Sequence, residues 1–175
     1  QWQREGTELD YSQIAKMASD AKPFAAYINP NNNDFLAPGD MPARINKTLD
    51  NPIEDKGQMI RIILESLAFN YRWVIETLEQ MSDKTIDVLH IVGGGIQNEL
   101  LCQFAANATG KKVVTGPIEA TASGNILTQA KACGQIASLD QARQIVQNSF
   151  ELKEYKPQNT EDWNKQYENF LKIFN

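Results

Sequence analysis

Histidine and cysteine, the residues that most often bind zinc or form disulfides, are scarce in this sequence. Its 175 residues include one histidine, His90, and two cysteines, Cys102 and Cys133, which form no CxxC pair. A zinc site built from cysteine and histidine ligands is therefore excluded. A chain of this length also needs no disulfide, because one domain of this size buries about 70% of its unfolded surface. We expect both cysteines to be reduced thiols packed in the core of a protein from a reducing compartment.

Long apolar runs and basic runs are missing too. No stretch approaches the roughly 18 to 20 apolar residues that span a bilayer, and the polar opening Gln1–Glu5 does not have the pattern of a signal peptide. The 17 lysines and arginines are outnumbered by 22 aspartates and glutamates, which gives a net charge of −5. The basic residues are also scattered, so there is no basic stripe to neutralise the phosphates of a nucleic acid. These features predict a cytoplasmic protein that binds neither membranes nor nucleic acid.

Several catalytic motifs are absent as well. The sequence has no G-x-S-x-G elbow and no G-x-x-x-x-G-K-[ST] phosphate loop. A Ser-His-Asp triad would have to use His90, which lies in the middle of an apolar run and is interpreted as a structural residue. Glu119 stands in the first turn of a predicted helix, where a carboxylate complements the helix dipole, so we do not interpret it as a catalytic acid. The chain itself therefore offers no convincing general base.

Apolar periodicity predicts seven helices and two strands. The longest helix, over 53–81, carries a broad apolar stripe that includes Val74 and Leu78, and we expect it to be the central packing element. Residues 86–92 form a β-branched, almost continuous apolar run, typical of a strand buried on both faces of a parallel sheet. The predicted helices span 10–21, 43–49, 53–81, 98–107, 119–133, 138–146 and 159–174, the predicted strands span 86–92 and 112–115, and 148–157 is expected to be mixed extended chain and loop.

The strongest local signal is the run Gly93-Gly94-Gly95 between a predicted strand and a predicted helix. Glycines let a ligand approach the backbone closely, and the start of the following helix favours an anion, so the run is typical of a nucleotide-binding loop. It does not complete the dinucleotide fingerprint G-x-G-x-x-G, because Asn98 stands in place of the third glycine. A tight turn without a ligand is the other interpretation. The small residues of Gly116–Asn125 favour close packing of one helix against another over a second site.

The order of several short runs gives the chain a family resemblance. His90–Asn98, Ala105–Gly110 and Gly116–Asn125, supported by Tyr27–Asn32 and Asn148–Phe150, resemble the nucleotide-binding half of the FGGY carbohydrate kinases. Within that family they are most similar to members that phosphorylate L-rhamnulose. The resemblance covers nearly the whole chain and keeps the order of the motifs.

The resemblance implies an α/β fold, namely a partial actin-like ATPase (ribonuclease H-like) domain that is helix-rich with a small parallel sheet. Residues 1–175 would form the C-terminal part of the second domain of such a kinase. The implied segments are 1–55, a helix and an irregular stretch; 56–134, a helix followed by a βαβα nucleotide-binding unit; and 135–175, the C-terminal helices.

The resemblance also implies an activity. The parent enzyme would transfer the γ-phosphoryl group of ATP to L-rhamnulose, giving L-rhamnulose 1-phosphate, with Mg²⁺ neutralising the phosphates. ATP would contact Gly93, Gly94 and Gly95, with Gly94 nearest, and Gln97 and Asn98 would complete that pocket. The catalytic base, the ketose site and most Mg²⁺ contacts would lie in a part of the enzyme that this sequence does not contain. The 175 residues alone are then expected to be inactive and to hold neither a catalytic residue nor a metal ligand.

Two alternatives stay open. Another FGGY sugar kinase, similar to xylulokinase, fuculokinase or glycerol kinase, would differ mainly in the sugar site. A non-catalytic nucleotide-binding or assembly module is a hypothesis of a different class. Because only two neighbouring strands are predicted, an open sheet edge remains, and such an edge favours self-association.

Overall fold

A computed structural model describes Gly6 and residues 10–174, with Tyr11 described only in its backbone. The opening Gln1–Glu5 lies outside these residues. Short 3-10 turns occur at Asn33–Phe35, Gly93–Gln97 and Lys172–Phe174. The helices and strands are, in chain order, α1 (Tyr11–Asp20), α2 (Met41–Lys47), α3 (Lys56–Ser82), β1 (Val88–Ile91), α4 (Glu99–Thr109), β2 (Lys112–Thr115), α5 (Ala120–Ala132), α6 (Leu139–Ser149), β3 (Glu154–Tyr155) and α7 (Thr160–Leu171).

Helix starts follow the capping residues of the sequence. Asp10 forms a capping box with Gln13 at the start of α1. The carboxylate of Asp55 accepts a hydrogen bond from the backbone N–H of Gln58, so α3 begins at Lys56, three residues later than its apolar pattern predicts. The predicted long central helix is confirmed, as are the other six helices to within a few residues.

The three strands form one sheet in the order β1-β2-β3. β1 and β2 are parallel, with His90 opposite Val114, whereas β3 is antiparallel to β2, with Tyr155 opposite Val113. The predicted parallel pair is confirmed, but the sheet as a whole is mixed, because the sequence did not predict the antiparallel third strand. After α6 the chain returns alongside β2 in the opposite direction, and this return produces the two-residue third strand.

The main core is an aromatic cluster between α3 and α7. Phe69 of α3 is fully buried at its centre, and its ring centroid lies 5.0 Å from that of Trp163 and 5.3 Å from that of Phe170. Tyr167 and Tyr27 also contact it, at 5.8 and 5.7 Å. A separate cluster of Cys102, Ala105, Ala106 and Val113 fixes α4 against the sheet.

A segment before α2 without helix or strand, residues 22–31, lies along α3 and bonds to its side chains. The hydrogen bonds are Lys22 N to Gln58 Oε1 (3.1 Å), Gln58 Nε2 to Lys22 O (2.9 Å), Phe24 N to Glu65 Oε2 (2.9 Å), Ile28 N to Ser66 Oγ (3.1 Å) and Asn31 Nδ2 to Asn70 Oδ1 (2.9 Å). Because Glu65 and Ser66 are fully buried, these polar groups need their backbone partners.

A buried ion pair joins this segment to α1. Arg61 Nε lies 2.7 Å from Glu65 Oε1, and the side chains are 12% and 0% exposed. The guanidinium also donates to the carbonyl oxygens of Ala18, Ser19 and Ala21 at the end of α1. Burial raises the pKa of Glu65 above its usual range, against the opposing effect of the Arg61 hydrogen bond.

Two packing expectations were wrong. Val74 and Leu78 of α3, expected in the central stripe, are 39% and 49% exposed, whereas Ile75 between them is buried. Cys133, expected in the core, is exposed at the C-terminal end of α5, while Cys102 is buried as predicted. No helix in the described part of the chain is long and apolar enough to cross a membrane.

Candidate functional site

The three glycines form a 3-10 turn, Gly93–Gln97, directly after β1. Gly93 has a φ of +78°, a left-handed conformation that favours glycine. Gly94 and Gly95 are exposed. A Cβ built on Gly94 would have no heavy atom within 4 Å, so space is open above its backbone. The turn stands at the carboxyl end of a parallel strand, where open α/β sheets bind their ligands.

Asn98 ends the glycine turn and caps α4. Its Oδ1 accepts a hydrogen bond from the backbone N–H of Leu101 at 3.0 Å, and its own N–H donates to the carbonyl oxygen of Gly95 at 3.2 Å. A ligand contact from the Asn98 side chain would therefore come from Nδ2. The structure thus brings all five predicted site residues into one turn and its helix cap, with Gln97 exposed beside them.

A second turn, Gly116-Pro117, follows β2 and bonds to the first. Gly93 N donates to Pro117 O at 3.0 Å, and Gly116 N donates to Ile91 O at 2.8 Å. Thr115, which is 2% exposed, ties the same place to the segment that precedes β3. Its hydroxyl accepts from Lys153 N at 2.9 Å, and its backbone N–H donates to Lys153 O at 2.9 Å.

Two grooves flank this second turn. The first, which we term the α5 groove, has a volume of about 640 Å³ and lies between the sheet, α5 and α6. The second, the turn groove, has a volume of about 470 Å³ and is bordered by the glycine turn through Ile96 and Gln97. Thr115, Gly116 and Pro117 line both of them.

The turn groove carries mostly negative charge. Its lining includes Glu99, Glu119 and Glu151 with a single cation, Lys153. Lys153 Nζ lies 2.5 Å from Glu99 Oε1, and this hydrogen bond raises the pKa of Lys153. Because the cation is already paired, this groove as it stands does not attract a phosphate group strongly.

The other sequence candidates do not form a reactive group. His90 is exposed and lines the α5 groove, so the expectation that it is buried in mid-strand was wrong. Within the described residues β1 pairs with β2 alone, and the face of β1 that carries His90 opens into the α5 groove. Glu119 takes the N-cap position of α5 without a capping hydrogen bond from its side chain. In the described ranges no three His, Cys, Asp or Glu side chains are placed to hold a metal ion.

The expected close helix packing of Gly116–Asn125 was also wrong. α5 has no buried residue, and a Cβ on Gly124 would meet no heavy atom within 4 Å. Of the two glycines in that run only Gly116 is tightly packed, since a Cβ there would lie 2.5 Å from Val92 Cγ1. Sequence reasoning missed Thr115, Pro117 and Lys153, and the available signal was the Gly-Pro pair immediately after a short strand.

Comparison with known proteins identifies the chain. The model for the FGGY family of carbohydrate kinases, C-terminal domain, matches residues 1–133. A rhamnulokinase of Bacteroides thetaiotaomicron is 41% identical over 93% of this chain and 34% of its own length, and one of Bacillus subtilis is 38% identical over 86% and 32%. The chain thus spans about a third of the length of the curated relatives that it matches.

Solved structures agree on the fold. A glycerol kinase of Plasmodium falciparum with ADP matches with a TM-score of 0.63 and 19% identity over 96% of this chain and 35% of that one. A xylulose kinase of Rhodospirillum rubrum matches with a TM-score of 0.62 and 13% identity over 94% and 33%. These neighbours have an actin-like ATPase fold, so that prediction is confirmed. The chain belongs to the FGGY family of carbohydrate kinases and matches its C-terminal domain.

Proposed function

We propose that this chain is the ATP-binding portion of a cytoplasmic kinase that phosphorylates L-rhamnulose to L-rhamnulose 1-phosphate. The observation that carries the proposal is the set of relatives named rhamnulokinase, which are 34% to 41% identical over 83% to 93% of the chain. They match it over most of its length, not over a single motif. The division of the chain at residues 55 and 134 belongs to the same proposal.

In this proposal the glycine turn holds the nucleotide. Gly93, Gly94 and Gly95 offer backbone without side chains, and the open space over Gly94 fits the close approach of a ligand. Gln97 and the Nδ2 group of Asn98 lie beside that space as hydrogen-bond donors. The fold holds two of these residues in place, since Gly93 and Asn98 are fixed by hydrogen bonds to Pro117, Gly95 and Leu101.

The sugar and the metal are assigned to the part of the enzyme outside this chain. The described residues provide no cluster of acidic side chains that fits Mg²⁺, so we place no magnesium ligand here. We also assign no catalytic residue to these 175 residues, and we expect them to transfer no phosphoryl group by themselves.

The test is an assay of the full-length enzyme. ATP consumption is measured with L-rhamnulose, L-xylulose, L-fuculose and glycerol at matched concentrations. We expect the highest kcat/KM for L-rhamnulose. A clear preference for one of the other three would overturn the substrate and favour another FGGY sugar kinase.

A second candidate is a module that binds nucleotide or assembles without catalysis. The observation in its favour is the sheet order, which leaves the outer edge of β1 without a described neighbour. Sedimentation of the 175-residue chain over a concentration series measures self-association, and calorimetry with ATP and ADP measures binding. Tight nucleotide binding or a stable dimer of this chain would support the module, whereas a monomer that binds weakly agrees with a site completed by the rest of a kinase.

A further inference from the structure

The glycine turn and the Gly116-Pro117 turn are joined by two reciprocal backbone hydrogen bonds. Gly93 N donates to Pro117 O, and Gly116 N donates to Ile91 O, at 3.0 and 2.8 Å. The first bond runs from the glycine turn to the second turn. The second bond runs from the second turn to Ile91, the last residue of β1. A displacement of the second turn is therefore transmitted to the first.

Position 116 requires glycine because there is no room for a side chain. Its φ lies outside the left-handed region, so alanine fits the backbone conformation without strain. A Cβ there would lie 2.5 Å from Val92 Cγ1, whereas the next atoms, Val92 Cβ and Ile91 O, would be at the ordinary distances of 3.6 and 3.8 Å. One methyl group of Val92 thus accounts for the whole conflict.

Val92 is the residue through which this conflict reaches the proposed nucleotide turn. It lies between β1 and Gly93 and takes the N-cap position of the 3-10 turn. Its side chain is β-branched and therefore has few rotamers with which to withdraw. A Cβ at Gly116 pushes Val92, and Val92 is covalently followed by Gly93 and Gly94.

We propose that Gly116 is a positioning residue for ATP binding, acting through its contact with Val92. The inference rests on the proposed function, because it takes the glycine turn as the nucleotide site. Gly116 touches no reacting atom in this proposal. It sets where the backbone of the glycine turn stands.

The experiment uses the full-length kinase with Gly116→Ala. A shift of a binding group by about 1 Å is enough to cost on the order of 100-fold, so a partial shift is expected to raise KM for ATP about tenfold. KM for the sugar and kcat at saturating ATP are expected to stay within about twofold of wild type, which is the signature of lost ground-state binding. Gly124→Ala is the matched control, because it adds the same methyl group where no atom lies within 4 Å.

A rescue separates positioning from general damage. Val92→Ala removes the methyl group that meets the new Cβ, and KM for ATP of that variant alone is the reference for the double variant. Val92→Ala combined with Gly116→Ala is expected to return KM for ATP to within about twofold of Val92→Ala, because the added Cβ then meets no atom nearer than 3.6 Å. If Gly116→Ala alone does not fold, the double variant decides the question by the same criterion.

Three results would overturn the inference. The first is an unchanged KM for ATP in folded Gly116→Ala. The second is a lower kcat together with raised KM values for both ATP and the sugar. The third is a double variant that stays unfolded or keeps a raised KM for ATP. The failure of the proposed function looks different, since the wild-type enzyme would then consume no ATP with any of the four sugars or would prefer a sugar other than L-rhamnulose.

Discussion

The buried pair of Arg61 and Glu65 predicts that removing the arginine costs more stability than neutralising the glutamate. Arg61→Met leaves a fully buried carboxylate with the Phe24 N–H as its remaining partner and also removes three hydrogen bonds to the end of α1. Loss of one member of a buried pair costs about 3 to 5 kcal/mol. Glu65→Gln keeps an oxygen for the Phe24 N–H, and Arg61 keeps its three carbonyl partners, so we expect about 1 to 2 kcal/mol.

The two variants also differ in their pH dependence. Burial raises the folded-state pKa of Glu65 above its unfolded value, so its contribution to stability grows as pH falls through the raised pKa and is lost as pH rises through it. Without Arg61, which opposes that shift, the pKa of Glu65 rises further. The destabilisation of Arg61→Met relative to wild type is therefore expected to shrink between about pH 7.5 and about pH 5, while that of Glu65→Gln, which removes the titrating carboxyl, is expected to grow over the same range.

The measurement is urea unfolding of the 175-residue chain, followed by tryptophan fluorescence, to which Trp163 contributes from the aromatic core, where it is 4% exposed. Comparing each variant with wild type at the same pH cancels the titration of the other acidic groups. Equal costs for the two variants would refute the reasoning. So would a cost of Arg61→Met that does not change with pH.

Three further predictions concern the site and the cysteines. Gly94→Val in the full-length kinase is expected to abolish measurable use of ATP without loss of folding, since the added Cβ meets no protein atom. Gly124→Val, which has the same free space, serves as the control. Normal kinetics of Gly94→Val would show that Gly94 does not belong to the nucleotide site. Asn98→Ala is expected to cost about 1 kcal/mol in urea unfolding because the cap of α4 is lost, while Asn98→Asp keeps it. In the native chain a thiol reagent is expected to label exposed Cys133 but not Cys102, which is buried and whose thiol pKa is raised by that burial. Mass spectrometry measures the labelling rate of each cysteine, and equal rates would contradict the structure.

The helices were predicted well because apolar periods and terminal glycines are patterns of residues close together in the sequence. The extent of α3 follows from its apolar period, and its start follows from the Asp55 cap, which the apolar period does not reveal. Gly110 ends α4 in the left-handed region at φ +67°, as a glycine after a periodic run predicts. The glycine turn was found for the same reason, since its residues are consecutive.

Features that depend on distant partners were missed. β3 has two residues and exists only because β2 offers it an edge, so no periodicity reveals it. The apolar character of residues 86–92 predicted burial of His90, but burial depends on what covers that face of β1. The role of Gly116 depends on one methyl group of Val92, 24 positions earlier in the chain, and spacing alone does not reveal such a contact.

The way in which residues 22–31 lie on α3 has a consequence for the order of folding. Their hydrogen bonds to α3 join residues 36 to 41 positions apart, and the partners are side chains that share one helix face only once the helix exists. A strand edge would offer backbone groups at every second residue, whereas α3 offers only four side chains. The segment is therefore ordered after α3, and its register depends on the helical phase of those four residues. In hydrogen exchange, the amides of Phe24 and Ile28 are then expected to open with α3, not with the start of the chain.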